Sequence, residues 1–208
     1  MFKNREKAGL ELAKKLKNLK IEKPVVLAIP RGGVVVGRVI SDKLGCALDV
    51  LVTKKIGAPG NPELAIGAMG QDKSVAWNYD ILSQLGLKED NLTQEIKNAK
   101  LIMQNYNSKF KITLNKNIKN RTIILTDDGI ATGATMEAAI RYVLNKHPKK
   151  IIIAAPVAPA EVVARLKNLI DEIIVLETPA WFSAVGQFYE DFPQISDEEV
   201  LQLLKGDL

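Results

Sequence analysis

The segment Ile123-Ile124-Leu125-Thr126-Asp127-Asp128-Gly129-Ile130-Ala131-Thr132-Gly133-Ala134-Thr135 holds the residue types with most chemistry to offer. An apolar run of buried-strand length ends in two adjacent carboxylates. A loop of small residues follows and opens a helical pattern. Gly129, Gly133 and the small side chains let backbone N–H groups approach a ligand closely, and Thr132 and Thr135 add hydroxyl donors. The following helix turns its positive N-terminal end to the same point, so the loop reads as a phosphate site. Two carboxylates beside it would not bind phosphate; they accept hydrogen bonds from vicinal hydroxyls or hold a hydrated Mg²⁺. A phosphate next to a diol is a ribose 5-phosphate. The competing reading is a tight strand–helix turn with solvated acids. Other phosphate motifs fail: there is no G-x-G-x-x-G, and neither Gly129…Gly133 nor Gly32…Gly37 continues into the Gly-Lys-Ser/Thr of a P-loop.

A second turn has related chemistry. Pro24-Val25-Val26-Leu27-Ala28-Ile29-Pro30 is another apolar run, and it ends in Arg31-Gly32-Gly33. The glycines expose backbone donors and Arg31 offers a forked cation for phosphate oxygens; a plain strand–helix turn with a surface arginine is the alternative. Lys54 and Lys55 close a third run, Leu48-Asp49-Val50-Leu51-Val52-Thr53, and stand either as solvated lysines or as cations at a strand's carboxyl end, where ligands of open α/β sheets bind.

At these residues the sequence resembles the type I phosphoribosyltransferases. Hydrophobic strand, Asp-Asp, two residues, then Ala-Thr-Gly-Ala-Thr is similar to that family's motif for phosphoribosyl pyrophosphate (PRPP). The resemblance implies that Asp127 and Asp128 meet the ribose 2′- and 3′-hydroxyls. It implies that Gly129, Ile130, Ala131, Thr132, Gly133, Ala134 and Thr135 hold the 5′-phosphate. It also implies a pyrophosphate loop after the first core strand, where Pro30-Arg31-Gly32-Gly33 stands; in the family this loop often contains an unusual cis peptide. Lys54 and Lys55 resemble a basic pair that contacts pyrophosphate. The stretch Leu27–Met69 together with Trp181–Phe192 resembles a bacterial and archaeal subgroup whose acceptor is unassigned. One departure is informative: the 6-oxopurine enzymes place an Asp just before the loop's Thr-Gly, and Ala131 stands there, which counts against a hypoxanthine-guanine enzyme and leaves adenine open.

The implied activity is an Mg²⁺-dependent glycosyl (pentosyl) transfer. A base, a purine or related heterocycle, displaces pyrophosphate from C1 of PRPP to give a nucleoside 5′-monophosphate. Arg31, Lys55, Asp127 and Asp128 are the expected catalytic residues, with Mg²⁺ on Asp127 and Asp128 directly or through water. Closure of a loop over 56–63 would exclude water, and Glu63 within it is a weak acid/base candidate. Trp181 and Phe182 are candidates to stack the base, against the reading that they fasten the tail. Phe188, Tyr189 and Phe192 read as such fasteners. The expected partners are PRPP and a nucleobase-like acceptor, in a cytoplasmic homo-oligomer, a dimer. A PRPP-sensing regulator that binds RNA or a protein is the alternative from another class; a hydrolase is disfavoured because no activated-water constellation is present.

Positioning these groups requires strands that end where the chemistry begins. Helical spacing runs through Ala8, Leu12, Leu16 and Leu19, with a basic face that reads as solvated. It returns at Val36–Leu44, 89–106, Met136–Leu144 and Val162–Ile170. Ile151–Ala155 and Ile173–Leu176 are further apolar runs, Leu64–Met69 can return as a strand, and 54–63 reads as a loop. Apolar runs alternating with amphipathic helices predict a doubly wound α/β domain: a mainly parallel sheet with flanking helices and a small peripheral hood or tail. No linker or repeat divides residues 1–208. Ser196 and Glu199 form a capping-box pattern for a last helix.

Composition agrees. The chain has 208 residues, 47% hydrophobic, enough for a sizeable core. One cysteine, Cys46, and one histidine, His147, exclude a disulfide framework, a cysteine zinc site and multi-His metal sites. The net charge of +5 lies in residues 1–23 and 88–121, each with 8 basic and 3 acidic side chains, and is offset by an acidic tail. Sparse aromatics in the basic segments make nucleic acid an unfavoured partner. No run suggests a membrane span or a secretory signal.

Overall fold

The computed structural model describes residues 1–70, 72–110 and 118–206, with Glu63 and residues 105–110 described in their backbone only. The acid/base candidacy of Glu63 therefore lies outside the described side chains. The elements in order are α1 (Arg5–Lys17), β1 (Pro24–Ala28), α2 (Gly32–Leu44), β2 (Ala47–Val50), β3 (Thr53–Ala58), β4 (Asn61–Gly70), β5 (Val75–Trp77), α3 (Tyr79–Gln84), α4 (Thr93–Phe110), β6 (Thr122–Thr126), α5 (Ala134–Leu144), β7 (Lys150–Val157), α6 (Ala160–Lys167), β8 (Glu172–Glu177) and α7 (Asp197–Lys205).

Five strands form a parallel sheet in the order β2-β1-β6-β7-β8. Alternation along each strand sends neighbouring rows to opposite faces. Val26, Ile124 and Ile152 stand in register and pack with Leu12, Leu16, Val36 and Ile40 of α1 and α2. The next row, Leu27, Leu125 and Ile153, packs with Ala139, Ile140 and Val143 of α5 and Val162 and Leu166 of α6. Both faces are covered, which is why the strand sequences are apolar throughout. From β1 the chain moves outward to β2, then returns to pair β6 on β1's other side. The β1–β6 seam is thus the point where the strand order reverses, and ligands of such sheets bind beyond its carboxyl ends.

The predicted loop over 54–63 is instead a β-hairpin. β3 and β4 pair antiparallel and β5 adds a third strand, making a second, separate sheet. The Pro and Gly signals that suggested a loop are punctuation inside this hairpin. Gly60 occupies the tip with φ +75°. Gly57 sits at a register shift where a Cβ would come 2.6 Å from the Cα of Pro62, so a close strand approach demands glycine there. α4 and α5 pack against this sheet, and α7 closes on α4 and α2 beside it, in a core that includes Ile56, Ile66, Met69, Met103 and Val200. The predicted helix over 89–106 begins as a 3-10 turn, Glu89–Leu92, before α4. α7 starts with the capping box of Ser196 and Glu199 that the spacing predicts. Among the described residues no helix is long and apolar enough to cross a membrane.

The tail and the N-terminal segment meet. Phe2 forms a parallel bridge with Tyr189, their rings are 5.5 Å apart, and the Phe2 N–H donates to the Phe188 carbonyl at 2.7 Å.

α2 lies directly on the sheet at Gly37, where a Cβ would come 2.9 Å from the Ala28 Cβ and 3.2 Å from the Thr126 Cγ2. Gly37→Val is expected to push the helix off the β1–β6 seam and cost about 1–3 kcal/mol. Urea unfolding checks this: the midpoint should fall with the slope unchanged.

Candidate functional site

The site is built where β1 and β6 end side by side. Ala28 and Thr126 are register partners, and the Ile29 N–H still donates to the Thr126 carbonyl at 2.9 Å. The two chains then separate into the two turns singled out by sequence. The Pro30–Arg31 peptide is cis, and α2 opens at Gly32. On the neighbouring strand come Asp127 and Asp128. The turns touch: a Cβ on Gly33 would lie 2.8 Å from the Asp127 Cα, and a Cβ on Gly32 would overlap the Asp128 carboxylate. Two glycines in the first turn are what allow the second turn to be acidic at this place.

Asp128 is held at its side chain and at its main chain. Arg5 at the start of α1 donates from Nε to Asp128 Oδ2 at 2.7 Å. This ion pair is largely out of solvent, with side-chain exposures of 7% and 15%. Removing one partner of such a pair costs about 3–5 kcal/mol. Arg5 Nη1 donates to the Pro193 carbonyl at 2.8 Å, and the guanidinium lies 3.7 Å over the Phe192 ring. The Tyr189 hydroxyl donates to the Asp128 main-chain carbonyl at 2.6 Å. The Phe192 ring stacks on Tyr189 at 4.9 Å. The expectation that α1 presents only a solvated basic face is thus corrected at Arg5, which is buried because the first turn of α1 abuts the carboxyl edge of the sheet. Tyr189 and Phe192 do fasten the tail, as predicted, and they fasten it to Asp128 and its partner Arg5.

Beyond Asp128 the loop is anchored to its neighbours. The Ile130 N–H donates to the Val157 carbonyl at 2.8 Å, anchoring the loop to β7. Gly133 takes φ +78° as the residue before α5, a conformation side chains resist, so the helix N-terminus can open abruptly after Thr132. Arg165 Nη2 donates to the Thr132 carbonyl, and Arg165 also pairs with Glu137, 3.8 Å away in the first turn of α5. A cavity of about 170 Å³ is lined by Asp127 and the whole run Gly129–Met136.

A larger cavity of about 410 Å³ adjoins it through Ala134 and Thr135, and is lined on its other sides by Pro30, Thr53, Lys54, Lys55 and Ile102. Lys54 and Lys55 lie on β3 rather than in a loop, so the hairpin brings them against the β1 turn. Arg31 points elsewhere: Nη1 donates to the Ile195 carbonyl at 3.2 Å and Nε lies 3.7 Å from Asp197 Oδ1, both at the start of α7. Trp181 is 88% exposed and Phe182 packs on Phe188 at 5.2 Å; neither lines these two cavities. Sequence reasoning missed Arg5 and the Tyr189 hydroxyl. Neither carries a local signal, because each meets Asp128 only through the folded chain.

Among the described residues no group of three or more His, Cys, Asp or Glu side chains could hold a metal ion. Asp127 and Asp128, one of whose oxygens already takes Arg5, would hold a hydrated Mg²⁺, which would supply positive charge beside a bound phosphate.

Burial, and then the Asp128 charge, hold the Asp127 carboxyl well above the usual carboxylate range. The folded chain therefore binds this proton more tightly than the unfolded chain. Its stabilising effect is complete below about pH 4 and is lost as pH rises through the folded value. Asp127→Asn keeps an oxygen for the Asp128 N–H, which donates to Asp127 Oδ1 at 2.8 Å. It is expected to raise stability at neutral pH and to flatten this decline. Urea midpoints from about pH 4 to about pH 8 test it, and an undiminished slope would refute the assignment.

A family model for the phosphoribosyl transferase domain matches residues 2–193. Two Mycobacterium tuberculosis relatives, from strains CDC 1551 and H37Rv, bear names that class them provisionally as phosphoribosyl transferases. Each is 38% identical over 205 residues, covering 98% of this chain and 46% of the relative. The chain thus spans about half the length of these curated relatives. A crystal structure of a protein from Thermus thermophilus is similar throughout, with a TM-score of 0.90 and 38% identity over 98% of this chain and 97% of that one. The family model spans residues 2–193 and the relatives are 38% identical over 98% of this chain: the chain belongs to the phosphoribosyl transferase family.

Proposed function

We propose that the chain is a phosphoribosyltransferase in which a nitrogen of a nucleobase-like acceptor displaces pyrophosphate from C1 of PRPP, yielding a nucleoside 5′-monophosphate. The observation that carries this reading is the contact of the two turns at the β1–β6 seam. Gly33 lies against Asp127, so a pyrophosphate on the first turn and a ribose 5-phosphate on the second would be one molecule's length apart.

On this reading the 5′-phosphate sits on Gly129–Thr135 at the N-terminus of α5, where backbone donors and the helix dipole favour an anion. Asp127 and Asp128 accept from the ribose hydroxyls. As the C1–O bond breaks, positive charge spreads over the ring and negative charge gathers on the leaving pyrophosphate. The protein's task is to hold both partners in line and to stabilise that anion. The Gly32 and Gly33 N–H groups, Lys54 and Lys55 do so, and Arg31 joins them on exchanging its contacts with Ile195 and Asp197 for the pyrophosphate. Mg²⁺, when bound, supplies further positive charge to the phosphate oxygens. The hairpin wall of β3 and β4 limits water, which would otherwise hydrolyse PRPP. Cytoplasmic residence, a dimeric assembly and a purine-like acceptor belong to the same reading. The alternative of a PRPP-sensing RNA or protein binder finds no support in this geometry.

Three experiments test it. Calorimetry with PRPP and Mg²⁺ should show binding that Asp127→Asn/Asp128→Asn abolishes; unaltered binding in the double variant would sink the ribose assignment. Pyrophosphate release across a panel of bases then identifies the acceptor, and no release with any base would overturn the enzyme reading. For the leaving-group side, Arg31→Ala should weaken pyrophosphate binding by about tenfold or more while leaving ribose 5-phosphate nearly unchanged. Equal losses for both ligands would refute that role.

A further inference from the structure

The N-terminal segment enters the site at one residue. Arg5 lies 123 positions from Asp128 in sequence, yet donates to its Oδ2 at 2.7 Å. The arginine is itself fixed. Its Nη1 is bound to the Pro193 carbonyl and its plane rests on the Phe192 ring. Tyr189, stacked on that ring, holds the main chain of Asp128 through its hydroxyl. Gly32 leaves the space in which the pair sits. No other charged side chain of α1 is buried: Arg5 is 6% exposed, whereas the lysines of the helix are on its surface.

We infer that Arg5 is a positioning residue for sugar recognition: it takes one oxygen of Asp128 and thereby sets the direction in which the carboxylate faces the ribose diol. This rests on the ribose assignment proposed above and extends it to a residue outside the motif. A carboxylate free to rotate can turn toward water or toward Asp127. One clamped through Oδ2 presents a fixed acceptor, and a hydrogen bond to a charged acceptor is strong only when its geometry is right. The clamp also distinguishes the two acids. Asp127 is set by its place on the strand end, with Oδ1 taking the Asp128 N–H, while Asp128 is set by the chain's two outer segments. Arg5 touches no substrate atom in this arrangement. Its effect is on which sugars bind, not on whether a phosphate binds.

Discrimination between sugars is therefore the readout. Calorimetry would compare ribose 5-phosphate, its 2-deoxy and 3-deoxy analogues, and inorganic phosphate, on the wild-type chain and on Arg5→Met, Arg5→Lys and Phe192→Leu. The wild type should prefer ribose 5-phosphate to at least one deoxy analogue by about tenfold or more, the effect of one hydrogen bond to a charged acceptor. In Arg5→Met that preference should collapse, with inorganic phosphate bound as before. Arg5→Lys keeps a charge without the fork and should recover part of the preference. Phe192→Leu keeps Asp128's partner but frees its plane, and should lose part; these two variants carry the test if Arg5→Met does not fold. An unchanged preference in all variants would overturn the inference while leaving the ribose site standing. So would a uniform loss across all ligands, inorganic phosphate included, since that marks a merely structural role. Failure of the wild type to bind ribose 5-phosphate would instead remove the underlying functional reading and this inference with it.

Discussion

Everything at the carboxyl edge of the main sheet depends on how closely β1 and β6 can approach after their hydrogen bonds end. Ordinary side chains would force the two turns apart. Gly33 against the Asp127 backbone and Gly32 against the Asp128 carboxylate remove that obstacle. The same economy of volume recurs one helical turn along, where Gly37 seats α2 on Ala28 and Thr126. The seam is therefore narrow by composition, and a ligand spanning it would meet donors from one strand's turn and acceptors from the other's.

A narrow seam also concentrates charge. Two adjacent carboxylates in a half-buried edge repel each other, and burial penalises a charge left without a partner. The fold answers asymmetrically. Asp127 is left with its proton favoured, while Asp128 is given a buried arginine. An acid pair in this setting is tolerable because the two members are not asked to carry charge on equal terms. The cations of the opposite wall are treated differently again: Lys54 and Lys55 are carried in on a hairpin, and Arg31 rests on the start of α7, beside Asp197.

Much of this was legible in the sequence. The strand, acid and loop order of Ile123–Thr135 specifies its own geometry, because small residues and a helix N-terminus leave few alternatives. The parallel sheet followed from runs apolar on both faces, such as Val25–Ala28 and Ile123–Leu125. The hairpin was not legible, since Gly57, Pro59 and Gly60 look like loop residues until the bulge and tip that require them are seen. Nor was Arg5, one of eight basic residues in its segment, singled out by any periodicity. Its partner is chosen by tertiary contact alone. The aromatic tail lay between the two cases: its fastening role could be read from composition, its target could not.

The meeting of residues separated by 188 positions at Pro193 and Arg5 has a dynamic consequence. Outer segments held by a few bonds and rings open at far lower free energy than a central sheet. Fraying of residues 1–5 or 186–193 would release the Asp128 clamp while β1, β6 and β7 remain intact. On the proposed reading, local opening at the periphery alone would disarm the site. Amide exchange at Phe2, Tyr189 and Glu190 would report on its readiness more directly than the global stability of the fold.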